Sequence, residues 1–345
     1  MTAADVVVIG AGVVGAATAR ALARRGGSVA VLEQGSLSEA AGSSRGTARI
    51  FAPAAYPDQS YLRMGLQALD EWRALEATSP EAFLQFTGAL CGGDAVDELA
   101  AGFEAAGVGF ERVEATEAER RFGIAGLGPE PLLFQPEAGV IRADRARDAL
   151  LCAARDAGAQ LCEDERVLAL EVGADEAEVR TARRTWRARR VVVTAGPWTP
   201  KLLEGMGIEL PLAVSSQAVA YFRLPQGGEA WPALIEFDGD EPYALLDPSH
   251  GLKVALHRRG PEVDPDGPWE LADEEGLERV RAWARARFPG IEEQPTKAEA
   301  CLYTNTPDER FILERRGPIV IGSACSGHGF QLAPASGERL AALAG

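Results

Sequence analysis

The residues best suited to chemistry begin near the N-terminus. Gly10-Ala11-Gly12-Val13-Val14-Gly15 spaces three glycines as a phosphate-binding turn does. The first allows the tight turn, the second lets backbone approach a pyrophosphate, and the third lets a helix pack closely on a strand. Glu33 follows eighteen residues after Gly15, where a carboxylate accepts hydrogen bonds from both ribose hydroxyls of an adenosine and repels a 2′-phosphate. The pattern predicts a dinucleotide and disfavours NADP, without separating FAD from NAD. A second group lies further on, where Leu252, Val254 and Leu256 alternate with Lys253, Ala255 and His257. Alternation predicts a half-buried strand with Lys253 and His257 on one side, about 13 Å apart at roughly 3.3 Å per residue, too far to grip one small group. Lysine occurs only at 201, 253 and 297 among 35 basic residues, so an ordinary surface position here would carry arginine, and Lys253 is marked for function. His257 is balanced between function and a structural hydrogen bond.

These groups need elements to hold them. Val6-Val7-Val8-Ile9 is a short apolar, β-branched run, the pattern of a strand buried on both faces of a parallel sheet. The glycine turn follows it, a helix is predicted over Ala16 to Arg25, and a second strand over Ser28 to Leu32 ends at Glu33. Two further strands run into small residues: Arg190 to Thr194 into Ala195-Gly196-Pro197-Trp198, and Pro318 to Gly322 into Ser326-Gly327-His328-Gly329-Phe330. After the second strand comes a polar loop, Gly42-Ser43-Ser44-Arg45-Gly46-Thr47-Ala48-Arg49, where an NAD domain would normally enter another helix. Three strand-to-glycine junctions spread from end to end suit one long ligand touched by the whole chain. Amphipathic helices are predicted around Leu62, Leu66, Leu69 and Trp72, and around Leu277, Val280 and Ala284 before Pro289-Gly290.

Length and charge narrow the classes. A chain of 345 residues gives two domains as a prior. A net charge of −16 makes nucleic acid and anionic membrane unfavourable partners. The N-terminal apolar run is broken by glycines and has no basic stretch before it, so it reads as neither signal peptide nor membrane span. Five cysteines, at 91, 152, 162, 301 and 325, show no metal-ligand spacing and suggest a reducing, cytoplasmic compartment. Cys91, Cys152, Cys162 and Cys325 are expected to be small buried hydrophobes.

The chain resembles the D-amino-acid oxidase superfamily of FAD enzymes, and within it the monomeric sarcosine oxidase and N-methyltryptophan oxidase group, over nearly its full length. The resemblance is carried by Gly42-Ser43-Ser44 with Arg49, the Gln135-Pro136-Glu137-Ala138-Gly139-Val140 turn, Gly251-Leu252-Lys253 with His257, Cys301 to Glu309, and Ser326 to Phe330. It implies an α/β fold in which a Rossmann-type FAD-binding domain (1–82, 142–212 and 300–345) is interleaved with an α+β substrate domain (83–141 and 213–299) built on an antiparallel sheet. It implies FAD contacts at Gly10, Gly12, Val13, Val14, Gly15, Glu33, Gln34, Ser43, Ser44, Arg45, Arg49, Val167, Gly196, Trp198, Cys301, Gly327, His328, Gly329, Phe330 and Gln331. Cys301 matches the cysteine that the group joins to the flavin 8α-methyl as a thioether. Lys253 matches the lysine beside the ring where oxygen is reduced, its ammonium stabilising the charge that oxygen acquires. Arg49 is expected over the flavin opposite the substrate, Arg45 at a phosphate or the surface, and Tyr303 in the substrate cavity. His328 is expected to open a helix whose positive end faces the flavin N1 and C2 carbonyl.

Two positions depart from the group. Its carboxylate-binding arginine, three residues after the Arg49 match, reads Ala52, and its lysine after Gly-His-Gly-Phe reads Gln331; no basic residue lies between Ile50 and Leu62 to replace the arginine. The threonine before Arg49 is replaced by Ala48, which touches the water network around Lys253. A buried α-carboxylate would then lack a counter-ion, a cost of several kcal/mol, so sarcosine and proline are expected to bind poorly. Asp247 could attract a substrate ammonium, but the reading favoured is a turn with Pro248 and Ser249. The expected activity is removal of hydride from a C–H beside an amine nitrogen, giving an imine and, with O2, hydrogen peroxide. The alternatives are a flavin dehydrogenase, an alcohol or ring-carbon oxidase of a biosynthetic pathway, or a flavin carrier without turnover. The expected assembly is a monomer or weak dimer.

Overall fold

The computed structural model describes residues 2–225, 231–258, 260–269, 273–323 and 326–345, so Cys325 lies outside the described residues. The first apolar run forms Thr2–Ile9, which lies between Val29–Leu32 and Thr185–Val193 with both neighbours parallel to it. Gln160–Cys162 extends the parallel ladder beyond Val29–Leu32, and Ile319–Ser323 extends it beyond Thr185–Val193. Val167–Val172, Ala177–Thr181 and Ile312–Arg316 complete this sheet as antiparallel additions. Alternate residues of the parallel strands go to opposite sides, as the pleat requires. Val6, Val8, Val31, Val192 and Val320 pack among the helices Val13–Arg24, Ala143–Asp156 and Ala333–Ala344, while Val7, Ile9, Val191, Val193 and Ile321 fill a second core with Val179, Trp186 and Leu203. Both faces are covered, which is why these runs read as continuous apolar sequence.

The second sheet runs in the order Lys297–Asn305, Ala213–Phe222, Gly251–Leu256, Pro242–Asp247, Ala233–Phe237, Ala89–Gly93, Leu132–Gln135, Glu111–Val113, antiparallel except where Ala233–Phe237 meets Ala89–Gly93. A small sheet of Ala48–Phe51, Gly139–Arg142 and Leu84–Gln85 stands between the two. The helix Gln59–Glu76 buries Leu62, Leu69 and Trp72 and leaves Leu66 half-buried; Asp58 caps it by accepting from the Ser60 N–H at 2.7 Å. The helix Glu274–Arg287, capped by Asp273, buries Val280 and Ala284 against the even-numbered face of the second sheet. The expected α/β class with an α+β second part is the observed one.

Several expectations change in detail. Gly251–Leu256 is an interior strand, hydrogen-bonded on both sides and buried on both faces, where a half-buried strand was expected. Its polar-looking face, carrying Lys253, is turned to a cavity instead of bulk water. His328 does not open a helix: the last helix begins at Ala333, behind a turn over the residues between. The boundary expected at 300 falls inside Lys297–Asn305, which stays in the second sheet throughout. Of the cysteines expected to be buried, Cys91 is, but Cys162 is half-buried and Cys152 exposed on the Ala143–Asp156 helix. No helix among the described residues is long and apolar enough to cross a membrane.

The first and last helices meet backbone to backbone. A Cβ added at Gly337 would lie 2.6 Å from the Ala17 carbonyl carbon and 2.8 Å from the Thr18 nitrogen. Gly337→Ala should therefore force the two helices apart and destabilise the protein by about 1–3 kcal/mol, read as an earlier midpoint in urea; an unchanged midpoint would show that the contact relaxes freely.

Candidate active site

One cavity of about 870 Å³ runs between the two large sheets, and its lining collects residues from nearly the whole chain. At one end the turn after Thr2–Ile9 is shaped by close approach. Gly10 has φ +97°, and a Cβ there would lie 2.6 Å from the Thr194 carbonyl oxygen. At Gly15 a Cβ would lie 1.9 Å from the Gly10 carbonyl oxygen, so the helix can start where it does only without one. The Glu33 carboxylate accepts from the Ala11 N–H at 2.8 Å and the Gly35 N–H at 3.1 Å, and Ser44 Oγ accepts from the Val13 N–H at 3.0 Å. Gln34, Val167, Gly196 and Trp198 line the same end, and the Trp198 Nε1 donates to Asp266 at 2.9 Å. Arg147, from the helix Ala143–Asp156, is buried beneath the turn and donates to the Ala11 carbonyl at 2.9 Å and the Leu37 carbonyl at 3.0 Å. A long diphosphate-linked cofactor fits this set: a glycine cradle, a helix start whose Gly12 supplies no side-chain cap, and an acid at the end of the second strand.

The middle of the cavity is cationic. Arg49 donates to the Ala48 and Ser43 carbonyls at 2.9 Å each, and its guanidinium lies 5.8 Å from the centre of the Phe330 ring. Arg45 is exposed and off the cavity; its carbonyl accepts from Arg49. Lys253 is buried and donates to the Ala48 carbonyl at 3.1 Å. Burial first, then the Arg49 charge, pushes the Lys253 ammonium down to about 7. Cys301 lies opposite Gln217 on the neighbouring strand and faces the same cavity, within electrostatic reach of both cations.

The far end is aromatic. Tyr303 and Tyr243 bring their hydroxyls to 3.5 Å, the His257 ring lies 5.4 Å from Tyr303, and the His328 ring lies 5.6 Å from Tyr56 and 5.3 Å from Tyr61. Gly327, at φ +81°, makes room: a Cβ there would meet the Tyr303 ring at 2.2 Å and His257 at 2.5 Å. Burial, with help from Arg258, pushes His257 down to about 4, and burial with His257 as neighbour does the same to His328. Both rings are neutral at pH 7. Gln331 is held at both ends, its Oε1 accepting from the Ala52 N–H at 2.8 Å and its Nε2 donating to the Tyr56 hydroxyl at 2.6 Å. Among the described residues, charged groups return at the half-exposed rim, where Arg310 pairs with Asp58 at 2.8 Å and Arg258 with Glu241 at 2.9 Å and with Glu309.

The structure thus brings Lys253, His257, Arg49, Tyr303, Cys301, Ala52, Gln331 and the Gly327–Phe330 turn to one cavity with the N-terminal glycines. Asp247 it does not. That carboxylate is buried away from the cavity, taken up by Thr47 Oγ1, the Ser249 N–H at 2.8 Å and the His250 N–H at 3.1 Å, which is the favoured turn and leaves the substrate placement of Asp247 without support. Tyr56, Tyr61 and Arg147 were not singled out in the sequence. Tyr56 and Tyr61 flank the Asp58 cap signal, which tells of a helix start and nothing of a cavity, and Arg147 is one arginine among many on an amphipathic helix.

Comparison with known proteins agrees with this geometry. A family model described as FAD dependent oxidoreductase matches residues 5–343. The peroxisomal sarcosine oxidase of Homo sapiens is 34% identical over 357 residues, covering 97% of this chain and 90% of its own. The monomeric sarcosine oxidase of Bacillus sp. (strain NS-129) is 29% identical over 359 residues, covering 99% and 92%. In structure, the open form of NikD, an unusual amino acid oxidase essential for nikkomycin biosynthesis, superposes with a TM-score of 0.86 at 30% identity, covering 100% of this chain and 94% of that one.

The two depressed histidines carry a stability signature. In the unfolded chain each binds a proton below about 6.5, whereas the folded rings stay neutral down to about 4. Their contribution is therefore complete above pH 6.5 and is lost as pH falls from 6.5 towards 4. His257→Phe should flatten the stability profile in that window relative to the parent, measured by urea unfolding at each pH; parallel profiles would mean that His257 titrates normally.

Proposed function

The chain belongs to the family of FAD-dependent oxidoreductases, and on that premise we propose that it removes a hydride from a carbon beside the nitrogen of an amine that lacks an α-carboxylate. In this reading FAD is tied through Cys301 and O2 is the electron acceptor, leaving as hydrogen peroxide. The chain's similarity to sarcosine oxidases and to NikD puts it in the broader class of flavin-dependent amine and amino-acid oxidases. FAD, when bound, supplies the hydride acceptor and the route of two electrons to O2.

The observation that carries the substrate class is the clamp of Gln331 between Ala52 and Tyr56. A carboxylate at this end would meet an amide already engaged, a methyl group, aromatic rings and neutral histidines, with the rim arginines already paired to acids. Its desolvation would go uncompensated at a cost of several kcal/mol. An aromatic or apolar amine suits the same walls. The rings offer no buried counter-ion to an ammonium either, so the amine reacts as the free base whose lone pair drives hydride departure, and turnover rises with pH through the bound amine's pKa. His257 and His328, being neutral, can orient the nitrogen by hydrogen bonding. Tyr303 and Tyr243 close the space beside it. Lys253, when protonated, presents positive charge to oxygen as it takes up negative charge.

A peroxide assay in air over matched amine pairs, differing only in an α-carboxylate, tests this directly. The carboxylate-free member should turn over at least about 100-fold faster in kcat/KM, and Ala52→Arg combined with Gln331→Lys should narrow or reverse the preference. Strong turnover of sarcosine by the parent would sink the reading, and substrate bleaching of the flavin without peroxide would assign a different acceptor. The Cys301 linkage has its own measurement: yellow colour should remain with acid-precipitated parent protein and pass to the supernatant in Cys301→Ser.

A further inference from the structure

Lys253 is 3% exposed, shares its wall with the Arg49 guanidinium, and has the Ala48 carbonyl as hydrogen-bond acceptor. A single carbonyl is little support for a buried ammonium next to a second cation. The anionic support comes from behind it. Tyr221 lies directly opposite Lys253 in one ladder and opposite Lys297 in the next, so the three side chains form a row on one face of the sheet. The Tyr221 ring centre is 5.8 Å from Lys253 Nζ and 4.9 Å from Lys297 Nζ. Its hydroxyl donates to Glu299 at 2.5 Å, and the other Glu299 oxygen meets Lys297 Nζ at 2.8 Å.

The groups that act on Lys253 come from each neighbouring element: Arg49 from Ala48–Phe51, Tyr221 from Ala213–Phe222, Asp247 from Pro242–Asp247, Glu299 and Cys301 from Lys297–Asn305, where Lys297, across the same tyrosine ring, is paired to Glu299. Arg49 repels the charge, while Cys301, Glu299 and Asp247 favour it. A Cys301 sulfur consumed in a thioether has no proton to lose and supplies no negative charge, which leaves the two carboxylates. Asp247 is saturated by donors from its own turn and from Thr47. Glu299 is held in place by one tyrosine and one lysine that the register sets beside it.

We propose that Glu299, fixed by Tyr221 and Lys297, is a positioning residue that keeps the Lys253 ammonium charged, with Asp247 as the second support. The consequence for oxygen rests on the function proposed above: losing Glu299 removes the proton from Lys253 at lower pH and narrows the range in which the reduced enzyme meets O2 productively. The charge-holding role itself does not depend on the substrate.

Three lysines make the measurement direct. Holoenzyme carrying 13Cε-labelled lysine should give three titrating signals, assigned by their loss in Lys253→Met and Lys201→Arg. Glu299→Gln keeps the shape and the hydrogen-bonding ability of the side chain, and should move the Lys253 midpoint down by about half a pH unit or more. Glu299→Asp should restore most of it. The Lys201 signal, which reports the distant contacts with Asp264 and Asp266, should stay put and certify the fold. In stopped flow, the pH limit for reoxidation by O2 should fall by the same interval while the rate of reduction by amine is unchanged. An unmoved Lys253 midpoint overturns the proposal. A moved midpoint with an unmoved oxygen profile upholds the role of Glu299 and rejects the oxygen role of Lys253.

Discussion

The site depends on an unbroken pleat across four strands. Register between Pro242–Asp247, Gly251–Leu256, Ala213–Phe222 and Lys297–Asn305 pairs odd residues with odd residues throughout, as in Leu245 with Lys253, Lys253 with Tyr221, and Tyr221 with Lys297. Side chains alternate strictly along a strand, so Tyr243, Lys253, Tyr221, Glu299, Cys301 and Tyr303 share one face. The even face, with Leu252, Val254, Ala220, Phe222 and Ala244, forms the core with the Glu274–Arg287 helix. A one-residue slip of Gly251–Leu256 against its neighbours would bury the lysine in that core and turn leucine and valine to the cavity.

That face becomes chemically active because the other sheet closes over it. The Ala48–Phe51 strand, the Gly327–Phe330 turn and the helix start at Gly12 wall the cavity opposite it, and burial raises the cost of every unpaired charge. The same desolvation acts in two directions along one cavity. It pushes the Lys253 ammonium towards neutrality, and it keeps His257 and His328 uncharged. The result is a gradient from a backbone-lined end, where close approach is the main requirement, through a cationic middle, to an aromatic end whose polar groups are bonded to one another.

Much of this was legible. The glycine turn and Glu33 announced their end of the cavity because each residue there acts through a local property: a missing Cβ, or a carboxylate at the end of a strand. Lys253 stood out by rarity and alternation. What alternation could not tell was the destination of the polar face, and the expected half-buried strand became an interior one lining a cavity. His328 was misplaced relative to its helix because Gly-rich sequence ahead of an apolar pattern marks a helix start only to within a turn. Tyr56 and Tyr61 gave no signal, since an aromatic residue beside a helix cap is read equally well as core.

From sequence alone came the first strand–turn–helix–strand unit, the dinucleotide turn, the family likeness and the two missing cations at 52 and 331, all of them properties of residue type at a chain position. Tertiary structure alone decided that Gln331 spends its amide on Ala52 and Tyr56, and that Glu299 is held by the tyrosine that Lys253 faces. Each of those outcomes joins residues tens to hundreds of positions apart, and a hydrogen bond or a Coulomb interaction depends on distance through space, which pattern along the chain does not contain.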